Sequence, residues 1–496
     1  MIYDINSLLG ATSLLSVFNL GNSSRSRTAL MSTLLAACSS LIIGLILLYI
    51  SILSLTVPHR SYFLYVRLAI APLAIRHFWY FGYGPYEAPT LMISGGKAAV
   101  GLYFIMRVLE HSVVGLWDPN PPYWVKKAGK NGPRSVYSPP HSSRERLFYA
   151  IDLLTSVRGL SWSTNQEWNW LHHSFKSSTY QVASTRQFLM DSIKAMIMQY
   201  LLIDICDSIT KQPDWNVSDL YPLSSLSVLE QFPVLISLCA GTFLSIDFGY
   251  TVTSAVCVLC GSSPDSWPPM FRSPISSTST RDFWSYRWHY LFRRVFDRLS
   301  IPLMRITTSV LNIACKDHRR KEQIASYIRG VIIFGLSTLL HLFIMHQVVK
   351  DAYRKKYATD IPSFWDPGTL KFFMCQPLGF IIESTAILPI SNWMFPLETH
   401  HRDSQQAAHI VPSVHSSSKL DTNQNRTADP LESNASTGVY YWERDALPRV
   451  FTWLFFLWAG RWWGDKWVRS GFFNKNELVV PFSVWRGLLH GKWIQY

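Results

Sequence analysis

The chain has 496 residues, of which 48% are hydrophobic and only 16% charged; an ordinary soluble domain carries about 25% charged residues. Aromatics reach 14%, with 20 Trp, and the formal net charge is +14. This balance excludes a string of soluble domains and points to a polytopic membrane protein with heavy interfacial anchoring. The apolar runs leave little soluble surface for nucleic acid, so no nucleic-acid partner is expected and the excess charge is assigned to cytoplasmic loops.

The first apolar run extends from residue 29 to 55, after Arg25 and Arg27. A secretory signal core is about 7–15 residues long, so this longer run predicts an anchor that stays in the bilayer. Further strong spans are predicted at 232–260, 327–347, 370–390 and 447–464. Weaker ones at 62–81, 90–116, 187–206 and 479–490 bring charge to membrane depth, including Arg67, Arg76, Lys97, Arg107, Asp191, Lys194 and Asp204. Charges there face a protein interior or a wet cavity, or else the helix is interfacial. The expectation is an all-α fold, a polytopic transmembrane helical bundle of about eight spans. It divides into an N-terminal segment with the first span (1–60), a membrane core (61–391), a polar and disordered loop (392–446) and a C-terminal span with its tail (447–496). An integral, multi-pass protein of an internal membrane, the endoplasmic reticulum, follows.

The polar segment 117–149 is rich in Pro, Ser and basic residues. The second polar segment, 398–437, holds His400, His401, His409 and His415, and a flexible polar loop explains them better than a metal site. It also carries Asn-x-Ser/Thr sequences at Asn425 and Asn434. Of the seven cysteines most sit in or beside apolar runs. No disulfide framework is visible, and Cys257 and Cys260 lack partner ligands at useful spacing, so no metal is expected. From Arg281 to Lys321 there are ten Lys or Arg and three Asp, which turns this segment toward the cytoplasm.

Two stretches carry chemistry. In STRDFWSYRWHYLFRRVF (279–296), a continuous helix would align Tyr286, His289, Arg293 and Phe296 on one stripe. An interfacial helix accounts for its Trp and Arg residues and leaves His289 without a role. In GVIIFGLSTLLHLFIMHQ (330–347), Phe334, Ser337, Thr338, His341 and Met345 share a helical face, a small polar notch around an imidazole. Intramembrane ionisable groups are functional candidates by default. Burial disfavours a charged imidazole, leaving His341 able to accept a proton. His346, near the span end, is assigned to the interface. VRGLSWS (157–163) shares the style of 279–296, and AGRWWGDKWVRSGFF (459–473) is read as an aromatic and basic belt.

In order and spacing these pieces resemble the wax-synthase-like branch of the membrane-bound O-acyltransferases, and most closely its fungal secondary-metabolite members, many of which acetylate terpenoids. Arg158, Gly159, Leu160 and Trp162 match one stretch of the family pattern. Phe283, Trp284, Arg287, Trp288 and His289 match a second, Ser337 and His341 a third, and RWWGDKWVRSGF the last. Ser285, Tyr286, Tyr290, Thr338 and Leu342 depart from the commoner residues at their positions. The resemblance implies spans around a reaction tunnel and acyl transfer from acyl-CoA, acetyl-CoA above all, to a hydrophobic alcohol in the lipid bilayer, with no bound cofactor. It marks His341 and His289 as catalytic. Trp288, Arg287, Arg293, Arg294 and Ser337 become binding residues, the arginines as candidates for the phosphates of coenzyme A. Long-chain wax or sterol ester synthesis is the alternative within the family. Outside it stand a non-catalytic scaffold and a proton-coupled transporter with a relay through buried histidines and Asp191, Lys194 and Asp204.

Overall fold

The structure is a computed structural model that describes residues 24–57, 60–85, 88–116, 122–126, 140–156, 159–162, 166–170, 184–288, 291–358, 364–395, 442–477 and 479–493. The long helices are α1 (Ser24–Leu53), α2 (Arg60–Tyr83), α3 (Leu91–Ser112), α4 (Ser143–Thr155), α5 (Thr185–Thr210), α6 (Val228–Leu259), α7 (Arg293–Ala314) and α8 (His318–Arg354). They are followed by α9 (Pro367–Met394), then α10 (Trp442–Arg469) and the short α11 (Val484–His490). Among the described residues the strands β1 (Trp124–Lys126) and β2 (Gln166–Trp168) form one small antiparallel ribbon with Trp124 opposite Trp168. The fold is an all-α membrane bundle.

Five helices among the described residues are long and apolar enough to cross a membrane: Leu35–Thr56, Leu91–Leu116, Val228–Leu259, His318–Arg354 and Pro367–Met394. The sequence predicts about eight. Three of the missing spans fall on α2, α5 and α10, which are as long but diluted by charges such as Arg67, Asp204 and Lys466. The ninth candidate, 479–490, holds only the seven-residue α11, far too short to cross. The segment 396–441, expected to be a polar loop, lies outside the described residues.

Local sequence explains where the helices start. Ser142 with Glu145, and Ser227 with Glu230, form reciprocal capping boxes at α4 and α6. Asp317 caps α8, and Asp366 caps α9 with Pro367 in the first turn. α8 has 37 residues, about 55 Å at 1.5 Å per residue, so it outruns a hydrocarbon core of about 30 Å. Its HRRKEQ start therefore lies beyond the apolar layer. α2 and α3 pack closely because Gly101 leaves room: a Cβ there would stand 2.8 Å from the Phe78 carbonyl oxygen.

Ion pairs gather at both ends of the bundle. At one end Lys97 faces Asp351 at 3.8 Å, Lys211 faces Asp207 at 2.9 Å, Lys355 faces Glu477 at 3.4 Å and Lys466 faces Asp366 at 3.3 Å. These contacts tie the start of α3 to the end of α8 and the start of α9 to the end of α10, while the Lys211 pair lies within the end of α5. At the other end Glu110 on α3 accepts from Arg107 at 2.8 Å and pairs with Arg294 on α7 at 2.6 Å. Arg107 also donates to the Leu153 carbonyl at 2.6 Å, which brings in α4. The Arg294 guanidinium lies 4.1 Å over the Trp170 ring.

Glu110 and Arg294 are both buried. Burial pulls the Arg294 guanidinium down to about 10, opposed by the Glu110 charge, so it remains a cation at neutral pH. Glu110→Ala would strand two buried guanidinium groups, a change that costs about 3–5 kcal/mol. The expected result is a clearly lower melting temperature in detergent, with a smaller loss for the double change Glu110→Leu, Arg294→Met. Equal melting of Glu110→Ala and the native chain would remove this cluster from the fold's supports.

Candidate active site

His341 lies near the middle of the membrane stretch of α8. Its Nδ1 is 2.8 Å from the Ser337 carbonyl oxygen, one turn back, and 3.5 Å from the Ser337 hydroxyl. A carbonyl has no proton to give, so Nδ1 carries the hydrogen and donates. The neutral ring then keeps its lone pair on Nε2. The ring is held on two sides. Phe373 of α9 stacks on it at 4.1 Å between centroids, and Trp463 of α10 meets it edge-on at 5.5 Å. Three helices that are distant in sequence therefore fix one imidazole.

His341 lines a cavity of about 1270 Å³ bounded by α6, the segment 273–297, α8, α9 and α10. Along α8 the wall runs from Gln323 to Ile344, about 30 Å of helix. The lining changes character along that length. Around His341 it is apolar and aromatic, with Leu340, Phe373 and Trp463; toward the start of α8 it becomes polar, with Gln323, Arg329, Arg281, Arg293 and Asp297. Arg329 and His341 are twelve residues apart, about 18 Å along the helix.

The segment 279–296 is not one helix. A single turn at Thr280–Asp282 passes into a π-helical turn at Phe283–Arg287, and α7 begins only at Arg293. The continuous helix expected to align Tyr286 with Arg293 and Phe296 is therefore interrupted. The reason is local hydrogen bonding. Trp288 N–H reaches the Phe283 carbonyl at 2.8 Å, and the Arg287 carbonyl accepts from Arg272 N–H at 3.1 Å instead of continuing a helix. Glu383 of α9 anchors the first turn by accepting from Thr280 N–H at 2.7 Å and from the Thr280 hydroxyl.

The candidate residues separate. Trp288 lines the cavity, stacked on Phe283 at 5.1 Å, and so do Ser337 and Arg293. Arg293 also donates to the Ser285 carbonyl at 2.7 Å. Arg287 is outside the lining: its Nε bonds Asp282 at 2.6 Å and its Nη1 reaches the Arg272 and Ser273 carbonyls. Arg294 is likewise committed to Glu110. Phe334 faces the cavity, while Thr338 and Met345 are buried and outside its lining. His289, Tyr290 and Arg158 lie outside the described residues.

Sequence reasoning missed Arg281, Arg329, Phe373 and Glu383, and read Trp463 as part of an aromatic and basic belt. Glu383 had a usable signal, a carboxylate in an apolar span; the aromatic walls had none, because partners across helices leave no local pattern. The remaining motif at Gly159–Trp162 has a structural explanation. Gly159 takes a positive φ of 86°, and Asp152 accepts from Trp162 N–H and from the Trp124 indole, both at 2.8 Å. Asp191 and Lys194 are exposed and away from the cavity, and Asp204 accepts from the Trp485 N–H at 2.8 Å. Among the described residues no hydrogen bond or ion pair joins Asp204 to Asp191 or Lys194.

Residues 267–365, which span the π turn and His341, match the Membrane bound O-acyl transferase family. Over that stretch the chain is similar to the family. It is 27% identical over 270 residues to Acetyltransferase ataH of Aspergillus terreus, a match covering 49% of this chain and 80% of that protein. It is 27% identical over 233 residues to Acetyltransferase ple2 of Rhodocybe pseudopiperita, covering 47% and 54%. O-Mevalon transferase macI of Penicillium terrestre is 22% identical over 255 residues, covering 49% and 53%. The family match and the names of these relatives support an acyltransferase enzyme. That class of enzyme implies an acyl donor and a hydroxyl-bearing acceptor.

The geometry separates residues that the sequence placed together. Arg293→Ala is expected to raise the KM for an acyl-CoA several-fold with little change in melting temperature, whereas Arg287→Ala lowers the melting temperature, since it unties the turn at 282–288. Ser337→Ala should leave most activity, because the His341 partner at 2.8 Å is the backbone carbonyl and survives the change. Steady-state kinetics beside thermal melts of the three variants check this; a KM effect confined to Arg287→Ala would reverse the assignment.

Proposed function

We propose that the protein transfers an acyl group, acetyl in first place, from acyl-CoA to a hydroxyl of a terpenoid or related apolar secondary metabolite, with His341 as general base. The single observation that carries the reading is the orientation of His341: Nδ1–H held by a backbone carbonyl inside an apolar cavity, with Nε2 left as acceptor. An alcohol is a weak nucleophile until a base takes its proton as the new bond forms. In the proposed reaction the acceptor oxygen attacks the thioester carbonyl while Nε2 takes its proton. The tetrahedral intermediate then collapses, the carbon–sulfur bond breaks, and the thiolate leaves and recovers a proton. The oxyanion needs a donor aimed at it. His289, next to the cavity-lining Trp288, is the proposed source. Arg293, with Arg281 and Arg329 at the polar end, supports an arrangement in which the phosphates of coenzyme A stay there and the thioester reaches toward His341.

The apolar lining around His341 favours an apolar acceptor. The acetyl preference rests on the names of ataH and ple2, and the cavity volume also admits longer chains. The test is ester formation in microsomes carrying the protein, supplied with labelled acetyl-CoA or palmitoyl-CoA and a pool of terpenoid alcohols. Labelled ester is expected with acetyl-CoA, and His341→Ala should lower kcat by about 10²–10⁴-fold. Labelling by palmitoyl-CoA alone would turn the reading to wax or sterol ester synthesis. Unchanged turnover in His341→Ala would overturn its role as base.

A further inference from the structure

We infer that Asn216 is an N-glycosylation acceptor, on the face of the bundle opposite the basic segment. Residues 216–218 read Asn-Val-Ser, the acceptor sequence for this modification. They lie in the connection between α5 and α6, and three observations bear on whether that connection can be modified.

The first is position across the membrane. Lys211, at the end of α5, donates to the Glu477 carbonyl at 2.6 Å, and Leu223 N–H bonds Asp465 near the end of α10 at 2.9 Å. Both contacts belong to the end of the bundle where α8 finishes with Asp351 and Lys355. The basic residues from Arg281 to Lys321 surround the start of α8, at the other end. Residues 211–227 hold one Lys and two Asp, against ten Lys or Arg and three Asp in 281–321. The positive-inside rule puts the 281–321 end in the cytoplasm, and the α5–α6 connection with Asn216 on the lumenal side.

The second observation is presentation. Asp214 pairs with Lys475 at 2.6 Å and the Trp215 indole donates to the Thr210 carbonyl at 2.8 Å. Trp215 packs against the apolar cluster of Leu223, Val234 and Leu235. The residue after this anchor, Asn216, is exposed. The third is local geometry. The Ser218 hydroxyl donates to the Asn216 Oδ1 at 2.6 Å, and Ser218 N–H reaches the same oxygen at 3.2 Å. Among the described residues the Asn216 Nδ2 makes no hydrogen bond, so the atom that must react stays open.

The step is a substitution at a sugar carbon. Nδ2 attacks C1 of an oligosaccharide carried on a lipid pyrophosphate, the co-reactant of the lumenal transferase. The nitrogen–C1 bond forms, the C1–oxygen bond breaks, the lipid pyrophosphate leaves, and Nδ2 gives up one proton. Asn425 and Asn434 should stay unmodified. Phe395 and Trp442, which bound their segment, sit at the ends of α9 and α10 remote from Asp366 and Lys466, on the cytoplasmic side. Asn22 also heads an Asn-Ser-Ser sequence outside the described residues, so mapping at the peptide level decides the matter.

The full chain is expressed in fungal microsomes, treated with peptide N-glycosidase in heavy-oxygen water, and digested for mass spectrometry. The expected result is a heavy-oxygen Asp mark at position 216 and none at 425 or 434. Asn216→Gln and Ser218→Ala remove the 216 mark, while Ser218→Thr keeps it, with melting temperatures unchanged throughout. An unmarked Asn216 peptide overturns the proposal. Marks at Asn425 or Asn434 overturn the sidedness on which it rests.

Discussion

A charge at membrane depth must be paired inside the protein or face a cavity, because the hydrocarbon offers it nothing. That constraint shapes this bundle more than any single contact. Glu110 holds α3 to α7 through Arg294 and is approached by Arg298 at 3.8 Å. Lys97 and Ser94 on α3 both engage Asp351 on α8. Each pair joins helices far apart in sequence, so pairing the charges also assembles the fold. Such pairs add little net stability compared with apolar packing, but losing one partner is costly. They therefore specify which helices meet and at which height.

Once the charges are satisfied at the two ends, the middle can be apolar and open. The cavity occupies that middle, and α8 runs along it from a polar stretch to His341. The Ser337 carbonyl is already engaged by the helix, and its second lone pair holds His341 without help from another element. A backbone acceptor cannot rotate away, and the Phe373 and Trp463 faces limit ring tilt. A base so fixed needs little reorganisation to reach a productive geometry, which is the condition for efficient proton transfer.

Much of this was legible in the sequence, and the rest was hidden for identifiable reasons. Hydropathy and length exposed the spans around 29–55, 232–260, 327–347 and 370–390, and a lone imidazole among leucines exposed His341. Periodicity failed at 283–296, because it assumes a continuous 3.6-residue helix and the π turn resets the phase at Phe283. Charge counting marked the 281–321 segment as basic but could not say which arginines were free. Arg287 is engaged by Asp282 five residues back, and Arg294 by Glu110, which is 184 residues away in the chain. No local pattern announces that second pairing. The α9 span was visible as apolar length, while the π-helical turn within it at Glu383–Ile387 and the tie from Glu383 to Thr280 were not.

The interfacial character expected of 283–296 belongs instead to the helix that follows. On α7 the side chains of Leu303, Ile306, Val310 and Ile313 are exposed, at spacings of three, four and three that put them on one stripe. Arg305 and Ser309 occupy other faces of the same helix. An exposed apolar stripe on a helix that also carries Arg298 and Arg305 suits the boundary between headgroups and acyl chains, and α7 stands beside the basic start of α8, where that boundary lies. With α7 at the surface, the preceding turn does not have to anchor the protein. Its tryptophans pack inward, Trp284 donating to Gln376 at 3.0 Å and Trp288 stacking on Phe283. The tryptophan-bearing turn is thus free to serve as a cavity wall, and the exposed apolar stripe belongs to the helix beside it.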